Sequence, residues 1–384
     1  MSSREAATAY AASSPRLSRS MSAGTSSTVS RKEPLHTLSR HSDTTTRSAS
    51  WCHETRSARS SPRASKKIEP VIGNGRARAM LHSPRLVKTR TSMLGSMPEL
   101  PEVEALALDL KGRLLDRAIT RIDLAAFSAL KTFDPPLHAL HGTLVEDVTR
   151  HGKFLDITAS GTHLIMHLAR AGWVRWRDEV PPLPARPNSK NPLAARIVID
   201  DEAGLDVTEA GTKKSLAIYV VRVPQDVPGI ARLGPDPLDD AFTIEVLGAI
   251  LQSEGRKQIK GVLRHQGTIA GIGNAYSDEI LHAARMSPYK PASSIEDGDL
   301  ETLFNAVKDT IGDAVERSRG LHASELKSEK RTNLAVHGRT GQTCPVCGDV
   351  VREVSFADSS LQYCATCQTG GKPLADRRMS KLLK

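Results

Sequence analysis

Met97-Pro98-Glu99-Leu100-Pro101-Glu102-Val103-Glu104 is the stretch on which the reading of this 384-residue chain turns. It sets a proline directly behind a methionine, with carboxylates following at once. It also opens a run in which Val103, Leu106, Leu110 and Leu114 recur at helical spacing, which predicts an amphipathic helix over 102–115. Its acidic first turn suits the positive end of a helix, as does a proline start. The chemical interest lies in the ring nitrogen of Pro98. At a chain terminus that nitrogen is a secondary amine, able to attack an electrophilic carbon and form an iminium. Inside a chain it is a tertiary amide with no usable lone pair. As numbered, Pro98 is internal, so a nucleophilic role requires a working polypeptide that begins there.

Residues 1–96 are rich in Ser, Thr and Arg and show no sustained apolar period, so they are expected to be a disordered extension unable to offset its own ordering entropy. Three origins stay open. The segment is upstream sequence read from a wrong start codon, a basic disordered tail, or a leader of the organelle-transit type. The first and third free Pro98. The extension also carries the charge: 17 Lys and Arg stand there against 5 Asp and Glu, whereas 97–384 hold 36 against 38. The overall net charge of +10 therefore says nothing about nucleic acid in the folded part, where only local patches count. No run of about 18 apolar residues exists, so a membrane span is not expected.

Beyond the first helix, 118–125, 143–158, 162–168, 172–177, 195–200 and 216–221 read as strands, some of them alternating, punctuated by Gly, Pro and Asp. Residues 181–192 form a proline-rich loop. Gly229, Gly234, Pro235 and Pro237 make residues 224–241 a hinge, after which helices are expected over 242–252, 256–265, 275–284 and 298–317. The fold class is thus α+β. A β-sandwich domain with a leading helix spans 97–223, a helical domain 242–330, a cysteine module 331–371 and a basic tail 372–384.

The cysteine module carries the most specific signal. Cys344-Pro-Val-Cys347 and Cys364-Ala-Thr-Cys367 are two Cys-x-x-Cys pairs 16 residues apart, the arithmetic of a four-thiolate zinc site rather than a disulfide framework. Such a closed tetrahedral site is structural, with no open position for substrate. Two further motifs carry less by themselves. Gly271-Ile272-Gly273-Asn274, preceded by Lys260, allows a tight turn whose N–H groups open a helix toward a phosphate, with the Asn274 amide and the Lys260 charge adding to it. Arg150-His151-Gly152-Lys153 offers a lysine between strand residues, by itself an ordinary solvated side chain.

In this order, from 97 to 367, the four signals resemble the formamidopyrimidine-DNA glycosylase / endonuclease VIII family of base-excision repair enzymes. The resemblance implies a helix–two-turn–helix domain with a zinc finger, a Gly-Lys pair on a β-hairpin, and a partner in double-stranded DNA carrying damaged bases or abasic sites. It implies that Pro98, as a free amine, attacks C1′ of an extruded nucleotide. Glu99 would protonate the ribose ring oxygen, the base would leave, and β-elimination would cut the strand. Lys153 would assist by charge or proton transfer, and Glu102 would orient the groups or their water. Structural zinc would be the only cofactor. A monomer in the cytoplasm, on the nucleoid, is expected, with organelle targeting by residues 1–96 the lesser alternative.

The chain also departs from the family. The finger arginine expected five residues before the third cysteine is Ser359; Lys372, Arg377 and Arg378 are candidate substitutes. Arg170 stands where the family has a gap-filling methionine, and can stack in that space or contact phosphate. Thr208–Lys214 holds no Arg-x-Phe wedge, 319–334 is short and charged where a base-capping loop belongs, and Lys190-Asn191-Pro192-Leu193 lacks the expected His/Asp. Oxidised pyrimidines and bare abasic sites thus stand beside oxidised purines as substrates. The alternative from another class is a catalytically silent protein of the same fold that binds damaged DNA.

Overall fold

The computed structural model describes residues 97–183, 192–356 and 359–375. The readings of residues 1–96, of 184–191 in the proline-rich loop, and of Arg377 and Arg378 lie outside the described residues. Contacts divide the chain into Met1–Leu86 and Val87–Lys384, and everything described belongs to the second unit.

Helix α1 (Leu100–Leu114) forms where its apolar period predicts, with Pro101 in its first turn and Glu102 Oε2 accepting the Glu99 N–H at 2.8 Å. Its buried stripe of Val103, Leu106, Leu110 and Leu114 covers one end of a β-sandwich. Eight antiparallel strands make the sandwich: β1 (Ala118–Leu124), β2 (Thr143–His151), β3 (Phe154–Ala159), β4 (Thr162–His167), β5 (Gly172–Arg177), β6 (Leu193–Ile199), β7 (Ala203–Glu209) and β8 (Ala217–Val221), in the order β5-β7-β6-β1-β2-β3-β4-β8. Only two residue pairs join β1 to β2, so the sheet bends there into two four-stranded faces. Ile197, Leu205 and Val174 from one face share a core with Leu155, Ile157 and Leu164 from the other. The single strand expected over 143–158 is corrected to two. Gly152, at φ +56°, turns the chain between β2 and β3 and places Lys153 at the tip. β7 went unread because Asp206 and Thr208 interrupt its apolar residues; Asp206 is buried in a pair with Arg196 at 2.6 Å.

The hinge region is seated rather than loose. Val227 and Ile230 pack on Ile165 and Val221, and Arg150 pairs with Asp236 at 2.5 Å and with Glu104 of α1 at 2.6 Å. Helices α2 (Ile244–Glu254), α3 (Ile259–Arg264), α4 (Asn274–Ala283) and α5 (Asp297–Ser318) then enclose a second core, to which Leu100 contributes from α1. The charged segment after α5 folds into α6 (Leu326–Asn333), and Ala323 and Leu326 belong to the first core. The C-terminal end of the helical span is thereby fastened to the sandwich. The cysteine module holds a hairpin of β9 (Val351–Ser355) and β10 (Ser360–Cys364), followed by the short α7 (Ala365–Thr369). Among the described residues no helix is long and apolar enough to cross a membrane.

The two cores meet where the chain at 99–100 lies against the α3–α4 turn. Leu100 N–H donates to the Gly271 carbonyl at 3.0 Å. A Cβ on Gly271 (φ +81°) would lie 2.5 Å from the Leu100 side chain, and one on Gly273 would lie 2.4 Å from the Glu99 carboxylate carbon. Both glycines therefore exist to admit that approach. Gly273→Ala is expected to lower stability by about 1–3 kcal/mol through overpacking. Gly312→Ala, inside α5 with nothing within 4 Å of its would-be Cβ, is expected to raise it by about 0.5–1 kcal/mol. Thermal unfolding of the two variants distinguishes these signs.

Candidate active site

The first four N–H groups of a helix have no partner within it and carry its positive end. In α4 three backbone donors at this end converge on one side chain: Glu99 accepts from Gly273 N–H at 2.6 Å, Ala275 N–H at 2.9 Å and Tyr276 N–H at 3.3 Å. Glu99 is 2% exposed. Burial alone would raise its pKa, but Lys330, Lys153, the Ala275 N–H and His337 outweigh it and hold the carboxyl down at about 2. Glu99 is an anion, fixed from both oxygens. A carboxyl accepting three N–H groups holds no proton of its own near neutrality, so the protonation of the ribose ring oxygen expected of Glu99 requires a proton that reaches it first.

Around it stand the other groups of the site. Glu102 accepts from Tyr276 Oη at 2.7 Å and from Lys330 Nζ at 2.6 Å. Burial, and then Glu99, push the Glu102 carboxyl up against the pull of Lys330. Burial and the contact with Glu102 push the Tyr276 phenol well above its usual range. Lys153 reaches in from the β2–β3 turn to donate to the Ile272 carbonyl at 2.9 Å. Its burial, with Lys330 and Arg264 nearby, outweighs the attraction of Glu99 and Glu102 and brings its ammonium down to about 8. On β4, burial and then Lys153 depress His167 to about 4, so that ring is neutral. Pro98 itself is buried at the head of this cluster.

Other expected residues sit elsewhere. Lys260 does not face outward: it is buried, and its ammonium donates to Asp278 at 2.6 Å, Ser277 at 2.7 Å and the Asn274 carbonyl at 3.1 Å. Its role here is to brace α3 against α4. Asn274 donates its amide to the Ser360 carbonyl at 2.8 Å and so ties α4 to the β9–β10 hairpin. The N–H of Gly273 donates to Glu99, so the protein's own carboxylate meets this helix end. Arg170 is exposed in the turn between β4 and β5, after Ala169 at φ +52°. Ser359 precedes Ser360 at the same hairpin, near the start of α4 and without a cation. Thr208–Lys214 ends β7 in a turn in which the buried Glu209 accepts the N–H groups of Ser215 and Leu216 at 2.6 and 2.9 Å.

Sequence reasoning missed Lys330, Tyr276 and His337. Lys330 lies within Glu329-Lys330-Arg331, in a helix whose polar composition reads as solvated, and the carboxylate that justifies its burial is more than two hundred residues away. Tyr276 was visible beside Gly273-Asn274, yet its partner Glu102 was not.

The four cysteine sulfurs lie within 4.8 Å of one another, Cys347 to Cys364 at 3.3 Å and Cys344 to Cys367 at 3.9 Å. Zn–S bonds of about 2.3 Å place tetrahedral sulfurs about 3.8 Å apart, so the set fits zinc. The His282 ring nitrogen is 3.3 Å from Cys344 Sγ, which orients that thiolate. The purified protein is expected to hold one zinc per chain by elemental analysis. Cys364→Ala is expected to lose it together with a marked part of the thermal stability, because β10 docks on α4 through Asp278 and Asn274.

Three family models match in chain order: the formamidopyrimidine-DNA glycosylase N-terminal domain over residues 97–212, its H2TH domain over 233–325, and a zinc finger found in FPG and IleRS over 341–370. An uncharacterised formamidopyrimidine-DNA glycosylase-like protein of Mycobacterium tuberculosis is 58% identical over 152 residues, 40% of this chain and 94% of that protein. The formamidopyrimidine-DNA glycosylase of Symbiobacterium thermophilum is 31% identical over 294 residues, 73% of this chain and 93% of that protein. Among solved structures, the MutM (Fpg) protein of Thermus thermophilus matches with a TM-score of 0.60 and 27% identity, covering 72% of this chain and 100% of that one. Lactococcus lactis Fpg bound to DNA containing an abasic site shares the fold, with a TM-score of 0.62 and 24% identity over 71% of this chain and 99% of that one. With the sandwich, the helical domain and the four-cysteine finger in this order, the chain belongs to the formamidopyrimidine-DNA glycosylase family.

Proposed function

We propose that this protein is a bifunctional DNA glycosylase and abasic-site lyase of base-excision repair, working from Pro98 as an N-terminal amine. The observation that carries the reading is the convergence on the start of the chain of a fixed carboxylate (Glu99), a lysine with its ammonium near 8 (Lys153) and a buried ion pair (Glu102–Lys330). A solvated helix start needs none of these. The family match beginning at Met97 supports the same working terminus.

An α-amino group has a reference pKa of about 7.7–8.0, so part of the Pro98 amine is neutral at physiological pH. Its lone pair forms the N–C1′ bond as the bond from C1′ to the damaged base breaks, and the base departs with that electron pair. The amine proton passes to the adjacent Glu99 carboxylate and on to O4′, so that the ring C1′–O4′ bond opens to a hydroxyl and leaves an iminium at C1′. In this scheme Glu99 relays a proton and stabilises the developing positive charge. Lys153, poised near 8, is the better proton donor to the leaving base. Loss of a C2′ proton then expels the 3′ phosphate and cuts the strand. Arg170 and Arg264 are both exposed and are assigned here to contact the DNA backbone. Zinc, when bound, holds the finger and takes no part in the chemistry.

The test is borohydride trapping on an abasic-site duplex, with the N-terminus of each preparation read by intact mass. Protein beginning at Pro98 is expected to give a covalent adduct, and protein retaining residues 1–96 at least about 100-fold less. Full-rate trapping with the leader attached would overturn the reading. Binding without any adduct from a free Pro98 would identify the silent damage-binding alternative. A second expectation concerns pH. Lys153 is charged below about 8 and neutral above it, so single-turnover base release should fall as pH rises through that value. Lys153→Arg, which keeps its charge throughout, should lack that alkaline limb.

A further inference from the structure

Lys330 is the buried charge whose place in the site neither the motifs nor the chemistry above explains. Its side chain is 1% exposed, and it is carried by a helix anchored along its length. Leu326 is fully buried in the sandwich core, the Ala323 carbonyl accepts the Trp173 indole N–H at 2.8 Å, and Glu329 pairs with Arg317 at 3.0 Å. Such a helix delivers the ammonium to a fixed point. There Nζ donates to Glu102 Oε2 at 2.6 Å and to the Met97 carbonyl at 3.2 Å, stands 3.9 Å from Glu99 Oε1, and lies 4.6 Å from the centre of the Tyr276 ring. The Met97 carbonyl oxygen is two bonds from the Pro98 nitrogen. When Pro98 is the first residue that carbonyl is gone, and the donor that faced it faces the amine.

We propose that Lys330 is a positioning residue for the nucleophile: its ammonium sits beside the Pro98 nitrogen, donates toward the amine lone pair and disfavours a second positive charge there, so that the amine stays unprotonated and aimed. This rests on the reading of Pro98 as the nucleophile and deepens it. A cation beside an amine lowers the amine's proton affinity, a known way of activating a nucleophilic nitrogen. The other charged or titratable groups around the chain start act on the same balance. Glu99 and Glu102 on the α1 side favour the protonated amine. Lys153 from the β2–β3 turn, His337 beyond α6 and Arg264 at the end of α3 oppose it, and the Tyr276 phenol remains neutral. Lys330 differs from these cations in its direct bond to the group attached to the nitrogen. Glu102 accepts one bond from the same ammonium, while the anchored helix fixes the lysine's position.

The experiment is single-turnover borohydride trapping from pH 5 to 9 on an abasic-site duplex. It uses saturating zinc-loaded protein whose N-terminus is Pro98, so that differences in DNA affinity drop out. Lys330→Met is expected to move the midpoint of the rate profile upward by at least about one pH unit, a tenfold loss of neutral amine at a given pH. Its high-pH plateau should stay within about threefold of wild type. Lys330→Arg should restore the wild-type midpoint. Glu102→Gln, which keeps the lysine but removes the opposing carboxylate, should move it downward, and it decides the matter with Lys330→Arg if Lys330→Met does not fold by zinc content and thermal melt. An unshifted midpoint in folded Lys330→Met, or an upward shift in Glu102→Gln, overturns the proposal while leaving the Pro98 reading intact. A wild-type protein with free Pro98 that gives no adduct overturns both.

Discussion

A carboxylate from the first helix closing the open end of the fourth is the contact on which this protein depends. Glu99 meets the N–H groups of Gly273, Ala275 and Tyr276, which α4 cannot satisfy by itself. Hydrogen bonds to a charged group are each worth about 1.5–3 kcal/mol, and here they span the seam between the sandwich core and the helical core. The same contact explains the local sequence on both sides. Gly271 and Gly273 leave room for Leu100 and Glu99, and Glu99 is ionised because Lys330 and Lys153, with the Ala275 N–H, outweigh its burial. Fold and site are therefore not separable layers.

From α4 the connection runs outward to the finger. Asp278 receives Lys260, His337 and the Gln362 N–H, while Glu279 accepts the N–H groups of Ala335, Val336 and His337 at 2.6, 3.0 and 2.7 Å. One ten-residue helix thus carries carboxyl groups at successive positions that bind three different parts of the chain. The four-cysteine cluster, more than two hundred residues from Pro98 in sequence, touches the same helix through His282 and Cys344 at 3.3 Å.

What was legible in the chain follows from how local each signal is. The α1 stripe, the hydrophobic strands and helices α2 to α5 announce themselves by periodicity, and the two Cys-x-x-Cys pairs by spacing. Pro98, Glu99 and Lys153 stand out in the sequence because their motifs are contiguous, and the fold brings Glu99 and Lys153 into one buried cluster. β7 was hidden because Asp206 looks like a loop residue until Arg196 and Arg177 are placed beside it. Lys260 and Asn274 were assigned to phosphate because a glycine turn before a helix is a general anion site; that a carboxylate from residue 99 would already occupy the site is a tertiary fact. Lys330 was the furthest out of reach. A lysine among Glu and Arg reads as surface, and only its distant acid makes burial tolerable.

The same remoteness bears on how the protein comes into being. Residues 97 to 102 leave the ribosome long before α4, and α6 arrives some 230 residues after Pro98. Until that helix has been made and seated, the segment around Pro98 lacks its buried cation, Lys330. The cluster around Pro98 and Glu99 is thus completed only near the end of synthesis, when α6 joins the fold.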